Sequence, residues 1–427
     1  MALSGSVNAQ VVATNVTGPG INFNSSVPSI TVHTAVLPGV PGVPDRLYMI
    51  RLEAGDNNAH PHQVRVSVYN SDDANPFWKP VDSRVNGFAR ALNQGINRVA
   101  TVTVHRDQRP VLAVHNSELY ASWAEGNTAQ IRVAKYNGDD LNPNWIFVDG
   151  NSATVGLNRL SSMYASLPRM ASFDGKLFVA WEEDVKIKGM TKRQIRVKAY
   201  NGTSFSFVES GAAAGLNHNS LIGAHSAFLA VHDAKLFITF YENGQVRVKV
   251  YAGWTTWNFT DGGGTTGINS DPGSKAGWGS LISFNGKLYA GIRQDSKMRM
   301  LSYNGSSWQY ADGALASQGL NYDPAQNSGR AILEIHNGKL YLAWLERNSS
   351  TKTTVRMRAY NPIDPVPGFN FVDGGAQYGI SPDLSQNVYS LSLSSANAKL
   401  YLGFVGADAQ SSVPSLDQAM AAVGRNE

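Results

Sequence analysis

The chain has 427 residues, of which 42% are hydrophobic and 16% charged, with a net charge of +4 and no cysteine. This composition is typical of a globular protein whose core needs no disulfides. Lys and Arg are scattered among carboxylates rather than grouped in a stripe, which argues against a nucleic-acid-binding protein. No apolar run approaches the ~18 residues of a membrane helix, so we expect no membrane span.

A motif of Leu followed by Tyr or Phe recurs seven times, each time after a turn and within an alternating apolar run. The copies are DRLYMIRLE (45–53), SELYASWAE (117–125), GKLFVAWEE (175–183), AKLFITFYE (234–242), GKLYAGIRQ (286–294), GKLYLAWLE (338–346) and AKLYLGFVG (398–406). Alternation with a period of two predicts a β-strand for each copy. Regular recurrence over the whole chain predicts a repeat architecture.

Each of the first six copies is followed by a second alternating run such as RQIRVKAYN (193–201), and then in most units by a short run such as FNFVDG (369–374). A corner such as Gly156-Leu157-Asn158 follows, and a further apolar run leads to the next copy. The units therefore contain four strands each, with Asn-Gly hairpin chemistry at 243–244 and no helical periodicity. We predict an all-β fold: one domain, residues 1–427, forming a seven-bladed β-propeller with four antiparallel strands per blade.

The two ends of the chain predict how the ring closes. Residues 9–22 match a third run and its corner, without the preceding runs, whereas the last unit ends after a degenerate second run at 415–423. We therefore expect residues 9–16 to pair beside 416–423 as the outer strand of the last blade. Such pairing removes exposed sheet edges.

Glu ends many of the Leu-Tyr strands, Arg lies in the following strand, and Trp often precedes the Glu by two residues. A Trp face with charged groups beside it is a candidate sugar-binding surface, but buried ion pairs in repeats are commonly architectural, which favours a clamp between blades. The ligand-binding candidates are Trp123, Glu125, Arg132, Trp181, Glu183, Arg196, Trp344, Glu346 and Arg356.

The histidines do not predict a metal site. His33, His115, His232 and His336 share a register before the Leu-Tyr turn, one per blade, so the predicted fold separates them. The pair His60 and His62 offers too few ligands for zinc. We expect neither a metal nor another cofactor.

Residues that break the repeat are the candidates for catalysis. Arg109, Arg169 and Arg330 lie on or just before first strands, and Glu334 lies within an apolar run. Three arginines lining a channel resemble the way sialidases hold a carboxylate. However, the nearest match to the Phe-Arg-Ile-Pro motif of sialidases is Leu167-Pro168-Arg169-Met170, and the Ser-x-Asp-x-Gly-x-x-Trp box is absent. We therefore assign no catalytic residue and favour a protein that is not an enzyme.

The patterns Gly-Lys-Leu-Tyr-x-Ala-Trp-x-Glu, Val-Arg-Val-Lys-x-Tyr-Asn-Gly and Trp-x-Phe-Val-Asp-Gly-Gly resemble repeats of bacterial seven-bladed β-propellers of the lectin and adhesin kind. The resemblance implies a non-catalytic, multivalent carbohydrate-binding protein, secreted or at the cell surface, with glycans or glycoconjugates as partners. No signal peptide is visible in MALSGSVNAQ. The alternatives are a propeller enzyme acting on glycans, either a glycosidase or a lyase, and a protein-interaction scaffold. The sugar and the oligomeric state are not predicted.

Overall fold

The computed structural model describes residues 29–54, 62–72, 75–91, 93–99, 104, 109–150, 152–269, 273–313, 318–347, 352–364, 368–374, 379–380, 387–407 and 418–423, with the side chains of 406–407 and 418–423 left out. Regular structure in these ranges consists of β-strands, without a helix. Accordingly, no described segment is a helix long and apolar enough to cross a membrane.

The strands fall into sheets of consecutive strands. The first sheet contains β1 (Ser29–Leu37), β2 (Arg46–Glu53), β3 (Gln63–Tyr69) and β4 (Trp78–Pro80). The second contains β5 (Arg84–Val85), β6 (Phe88–Ala89), β7 (Val111–His115), β8 (Glu118–Glu125), β9 (Gln130–Tyr136) and β10 (Trp145–Phe147). The third contains β11 (Ala165–Phe173), β12 (Lys176–Ile187), β13 (Met190–Tyr200) and β14 (Phe205–Phe207). The fourth contains β15 (Ala224–His232), β16 (Lys235–Glu242), β17 (Gln245–Tyr251) and β18 (Trp257–Phe259).

The remaining sheets follow the same order. The fifth contains β19 (Ala276–Phe284), β20 (Lys287–Gln294), β21 (Lys297–Tyr303) and β22 (Trp308–Tyr310). The sixth contains β23 (Ser328–His336), β24 (Lys339–Arg347), β25 (Thr353–Tyr360) and β26 (Phe369–Phe371). The last contains β27 (Asn387–Ala396), β28 (Lys399–Ala407) and β29 (Gln418–Val423). The strand of each sheet nearest the central axis is called its first strand, which in the second sheet is β7, and first strands of neighbouring sheets contact one another. Each Leu-Tyr copy forms the next strand outward, the second strand of its blade.

The chain is an all-β propeller, but the predicted seven blades of four strands are wrong. Within the described residues, six blades have their four strands, and the last sheet has three, in the order β27-β28-β29. The second blade is extended by the hairpin β5-β6, which joins β10. Residues 9–16, predicted to supply an outer strand beside β29, lie outside the described residues.

Alternation along the second strands explains how each blade joins both its neighbours. Leu177, Val179 and Trp181 pack into a buried cluster shared with the second sheet. Phe178 and Ala180, at the intervening positions, pack into a cluster shared with the fourth sheet. Because successive side chains point to opposite faces of a strand, one short apolar run supplies both cores.

The seam between the first and last sheets is polar near the axis. The backbone N–H of Val32 and of Thr34 donate to the hydroxyls of Ser390 (3.2 Å) and Ser392 (2.9 Å). The Thr34 hydroxyl also lies 2.7 Å from that of Ser394. Serines at alternate positions of β27 thus face β1, and their hydrogen bonds connect the two ends of the described chain.

Candidate functional site

The recurrent Trp and Glu residues bind each other within the blades. The indole N–H of Trp181 donates to the carboxylate of Glu183 at 2.9 Å, and neither side chain has measurable exposure. The same bond joins Trp123 to Glu125 (2.8 Å) and Trp344 to Glu346 (2.9 Å). These tryptophans present no face to solvent.

The second role of these glutamates is to hold the corner between two blades. Glu183 accepts hydrogen bonds from the backbone N–H of Arg159 (2.9 Å) and Leu160 (3.1 Å), which follow the corner leaving the preceding blade. The corner itself is fixed by Asn158, whose Oδ1 accepts from the backbone N–H of Ile131 at 2.9 Å. Glu125, Glu242 and Glu346 bind backbone N–H groups of their own corners in the same way.

The recurrent arginines form ion pairs with acids that follow the fourth strands. Arg196 lies 3.0 Å from Glu209, Arg132 lies 3.3 Å from Asp149, and Arg356 lies 3.5 Å from Asp373. All six side chains are buried. In the first blade Arg65 likewise lies 2.9 Å from Asp82. Glu53, which the sequence predicts as the partner of Arg65, lies 3.4 Å from Arg51 of its own strand.

The structure therefore gathers the nine ligand-binding candidates, but into buried clamps rather than open pockets. A sugar cannot stack on a tryptophan that is already packed on both faces. Because the Trp, Glu and Arg side chains are buried, they offer no surface to a ligand. Their burial supports the interpretation that they hold the blades together. The non-catalytic lectin predicted from these residues is wrong.

An open cavity of about 340 Å³ lies on the axis of the ring. Its lining residues come from the first strands β1, β7, β11, β15, β23 and β27 and from the loop before β7. They include His33, Arg109, Arg169, Phe228, Arg330, Ile332, Glu334 and the serines at 390, 392, 394 and 395. Because these residues differ from blade to blade, the cavity has one asymmetric arrangement rather than a repeated one.

Three arginines form the cationic part of this cavity. Burial and the charge of Arg109 lower the pKa of Arg169 to about 10. Burial followed by the charges of Arg169 and Arg109 lowers the pKa of Arg330. Nε and Nη2 of Arg330 are buried without a hydrogen-bond partner. The charge of Arg109 acts on both other arginines and that of Arg169 acts on Arg330, so the three guanidinium groups share one electrostatic environment.

Glu182 is the carboxylate whose charge acts on both Arg169 and Arg330. It is 1% exposed and already accepts the backbone N–H of Ser226 at 2.6 Å. It also lies 3.4 Å from Arg193. Glu182 therefore offsets part of the arginine charge without hydrogen-bonding Arg330.

His33 is a neutral hydrogen-bond donor to this cavity. Burial, together with the charges of Arg169 and Arg330, lowers the pKa of His33 to about 3. Nδ1 of His33 accepts the backbone N–H of Leu112 at 3.2 Å, so the ring proton is on Nε2. The expected shared register of His33 with the other three histidines is wrong, because Leu37 and not His33 ends β1.

The other three histidines of that set connect blades. Nδ1 of His115, His232 and His336 lies 2.8, 2.9 and 2.9 Å from the hydroxyls of Ser172, Ser283 and Ser395 in the next sheet. No group of three metal-ligating side chains occurs among the described residues.

Glu334 is the ionisable acid of the cavity lining. Burial raises the pKa of Glu334 to about 7, although one of its oxygens accepts the backbone N–H of Ile335 at 3.1 Å. Glu334 follows Arg330 by four residues on β23 and shares its face, so their Cα atoms are about 13 Å apart. The cavity thus has a cationic end and an end with a neutral carboxyl group at pH values below about 7.

Sequence reasoning named Arg109, Arg169, Arg330 and Glu334 as breaks in the repeat, and the structure brings all four to one cavity. It missed the roles of His33 and of the serines of β27. The signals were present: the insertion at 36–45 shifts the register of the first blade, and serine recurs at alternate positions from 390 to 394.

No protein-family model matches the chain, and no curated protein matches it. Among solved structures, it aligns with an α-L-arabinanase of Penicillium chrysogenum complexed with arabinobiose, at 11% identity and a TM-score of 0.47, covering 96% of this chain and 97% of that one. It also aligns with a sialidase of Trypanosoma rangeli complexed with the inhibitor DANA, at 14% identity and a TM-score of 0.47, covering 80% and 58%. An α-L-arabinofuranosidase of Fusarium graminearum aligns at 11% identity and a TM-score of 0.46, covering 83% and 98%. These proteins are glycosidases rather than lectins, but likeness at this level carries no functional argument.

Proposed function

We propose that the chain is a glycan-active enzyme that works in the axial cavity on a substrate carrying an acidic group. The observation that carries this proposal is the buried, unpartnered Nε and Nη2 of Arg330 beside Arg169 in an open cavity. A buried N–H without a partner is unfavourable, and a carboxylate accepts two such bonds from one guanidinium. An anionic ligand would satisfy both atoms.

The surroundings of Arg330 favour a sugar over a simple anion. Its strand, β23, lies between β19 and β27, whose bulges carry Trp278 and Tyr389 outside the cavity lining, with exposures of 41% and 49%. Arg293 lies over one face of Trp278, 4.9 Å from the ring centroid, which leaves the other face for a ligand. Aromatic faces bind the C–H face of a sugar ring, while the Nε2–H of His33 and nearby hydroxyls suit sugar hydroxyls. The cavity volume is within the ~300–1,000 Å³ range of small-molecule sites.

Glu334 supplies the chemistry of the proposal. A carboxyl group with a pKa of about 7 is protonated over much of the acidic and neutral range. It can donate its proton to a glycosidic oxygen as the C–O bond breaks, while water attacks the anomeric carbon and gives up a proton to solvent, from which Glu334 is protonated again. Because Glu334 lies about 13 Å along the strand from Arg330, the bond broken lies towards the opposite end of the cavity from the bound acidic group.

Binding tests compare galacturonate with galactose, which differ in one carboxylate. Calorimetry should show tighter binding of galacturonate, and Arg330→Met should weaken it by about tenfold or more while leaving galactose unchanged. Trp278→Leu should weaken both sugars. The control is Arg84→Met, which removes an arginine in the hairpin β5-β6, outside the cavity lining. Equal binding of the two sugars, or unchanged binding by Arg330→Met, would refute the acidic-sugar site.

Turnover tests use a panel of acidic and neutral polysaccharides with detection of new reducing ends. We expect cleavage of an acidic member, and loss of about 100-fold or more in kcat for Glu334→Gln with binding retained. Acid-sugar binding without cleavage of any member would overturn the enzyme assignment. The secreted or cell-surface location expected from the sequence remains a prediction.

A further inference from the structure

One hairpin of the ring is longer than its counterparts. Strands β12 and β13 have 12 and 11 residues, whereas the other second strands have 8 or 9 and the other third strands 6 to 8. In the fourth blade the turn follows Glu242 directly, but β12 continues four residues beyond Glu183 to Ile187. Four residues of strand extend the hairpin by about 13 Å.

The extension is strongly cationic. Lys186 and Lys188 are exposed, Lys192 is half-buried, and none of them forms an ion pair with a described residue. Arg193 at its base is held 3.0 Å from Asp184. Segment 184–193 therefore carries four positive charges and one negative charge, from Lys186, Lys188, Lys192, Arg193 and Asp184, which gives +3. We call residues 184–193 the arm.

The arm stands at the same end of the ring as the arginines of the cavity. Arg169 pairs with Ala180 of β12, and Ser166 pairs with Glu182, so the cationic end of the cavity lies beside the base of the arm. Glu182 connects the two, because its charge acts on Arg169 and Arg330 while its carboxylate lies 3.4 Å from Arg193 of the arm. Positive charge therefore lies on both sides of Glu182, in the cavity and along the arm.

We propose that the arm binds the distal part of a polymeric acidic glycan whose proximal end occupies the axial cavity, with one acidic group on the arginines and the last units extending to Glu334. This inference rests on the proposed function and adds that the substrate is a chain rather than a small sugar. Exposed lysines act as point charges, and each contributes little alone. Several exposed lysines beside the axial cavity favour binding of a polyanion. Once one end of the chain is bound in the cavity, its distal acidic groups are held near the arm at a high effective concentration.

The composition of the arm favours a polysaccharide over a single-stranded nucleic acid. Sites that hold unpaired nucleotides combine cationic side chains with aromatic side chains on which bases stack. Segment 184–193 contains no aromatic residue. Its exposed apolar side chain is Met190, at 49%.

The test removes three charges from the arm with the triple variant Lys186→Gln, Lys188→Gln and Lys192→Gln. The matched control is Lys176→Gln, Lys235→Gln and Lys287→Gln, which removes three exposed lysines from the opposite end of the ring. The arm variant should bind polygalacturonate about tenfold more weakly and with a smaller salt dependence, while binding of galacturonate is unchanged. The control should behave as the parent protein.

Equal effects of the arm and control variants on polygalacturonate would overturn the proposal. If Arg330→Met weakens galacturonate but the arm variant binds the polymer normally, the arm fails and the proposed function stands. If the arm variant weakens the polymer but Arg330→Met has no effect, the axial site fails, and the proposal that one chain occupies both the cavity and the arm fails with it. In a competition assay, a single-stranded oligonucleotide of equal charge that binds more tightly than polygalacturonate would overturn the choice of a polysaccharide.

Discussion

The guanidinium of Arg196 lies 3.0 Å from the carboxylate of Glu209, and the two side chains are 0% and 1% exposed. Arg196 also donates to the backbone carbonyl of Ala213 at 2.9 Å. The pair joins the third strand of its blade to the loop after the fourth strand. Equivalent pairs recur in other blades, between an Arg of the third strand and an acid that follows the fourth strand. These buried ion pairs therefore hold the outer strand of a blade to the strand beside it.

Removing one member of this pair should be more harmful than removing both. Arg196→Met leaves the carboxylate of Glu209 buried without its cation and should lower the free energy of unfolding by roughly 3–5 kcal/mol. The double variant Arg196→Met, Glu209→Gln should lose less than the sum of the single changes. Urea unfolding of the four proteins measures the coupling.

The comparison cycle pairs Arg196 with Glu183, which binds Trp181 and backbone N–H groups instead. We expect weaker coupling in this cycle than in the cycle with Glu209. A larger coupling between Arg196 and Glu183 would mean that the Glu–Arg pair expected from the sequence is the real one.

The tryptophans should matter for stability and not for sugar binding. Trp344→Phe keeps most of the packing but removes the indole N–H that donates to Glu346 at 2.9 Å, and burial already raises the pKa of that carboxyl. We expect a loss of about 1–3 kcal/mol in stability, since a buried acceptor loses a partner. Calorimetric binding of galacturonate should be unchanged. Weakened sugar binding in a variant with parental stability would restore Trp344 as a ligand-binding residue.

The repeated features of the fold were predictable because each depends on local sequence. Period-two alternation in GKLFVAWEE predicts a strand antiparallel to the next, and β12 begins and pairs as expected. The partner of Arg196 was not predictable in this way. Glu183 and Glu209 are both within reach in sequence, and only the path of the loop after β14 decides between them.

The cavity was harder to predict because its residues come from strands that are far apart in sequence. Arg169 and Arg330 are separated by more than two blades along the chain, and a ring of first strands brings them together. Breaks in the repeat identified both residues. The cavity role of His33 depends on the length of β1, which the insertion at 36–45 conceals.

Acidification should destabilise the ring through His33. Its folded-state pKa of about 3 is below the ordinary value of 6.5, so the unfolded chain binds the proton first. The contribution of neutral His33 to the free energy of unfolding is therefore complete above pH 6.5. It is lost as the pH falls towards 3, at up to about 1.4 kcal/mol per pH unit. Burial also lowers the pKa of His115 and His232, which adds to the same trend. The stability of His33→Gln, measured from pH 7 to pH 4.5, should fall less steeply than that of the parent, and parallel curves would contradict the assignment.

Glu334 should show the opposite trend and a conflict between stability and activity. Its folded-state pKa of about 7 is above the ordinary value of 4.5, so its ionisation destabilises the fold progressively as the pH rises from 4.5 to 7. Glu334→Gln removes this charge and should stabilise the protein at pH 8 by roughly 1–3 kcal/mol, with little effect at pH 4.5.

The same substitution should abolish glycan cleavage, and kcat of the parent should fall above pH 7 as the acid loses its proton. Ile332→Val, which trims a neighbouring cavity residue, is the control for a general packing effect. A Glu334→Gln protein that is less stable than the parent at pH 8 would show that the carboxyl group supports the fold, and its loss of activity would then not identify it as the acid.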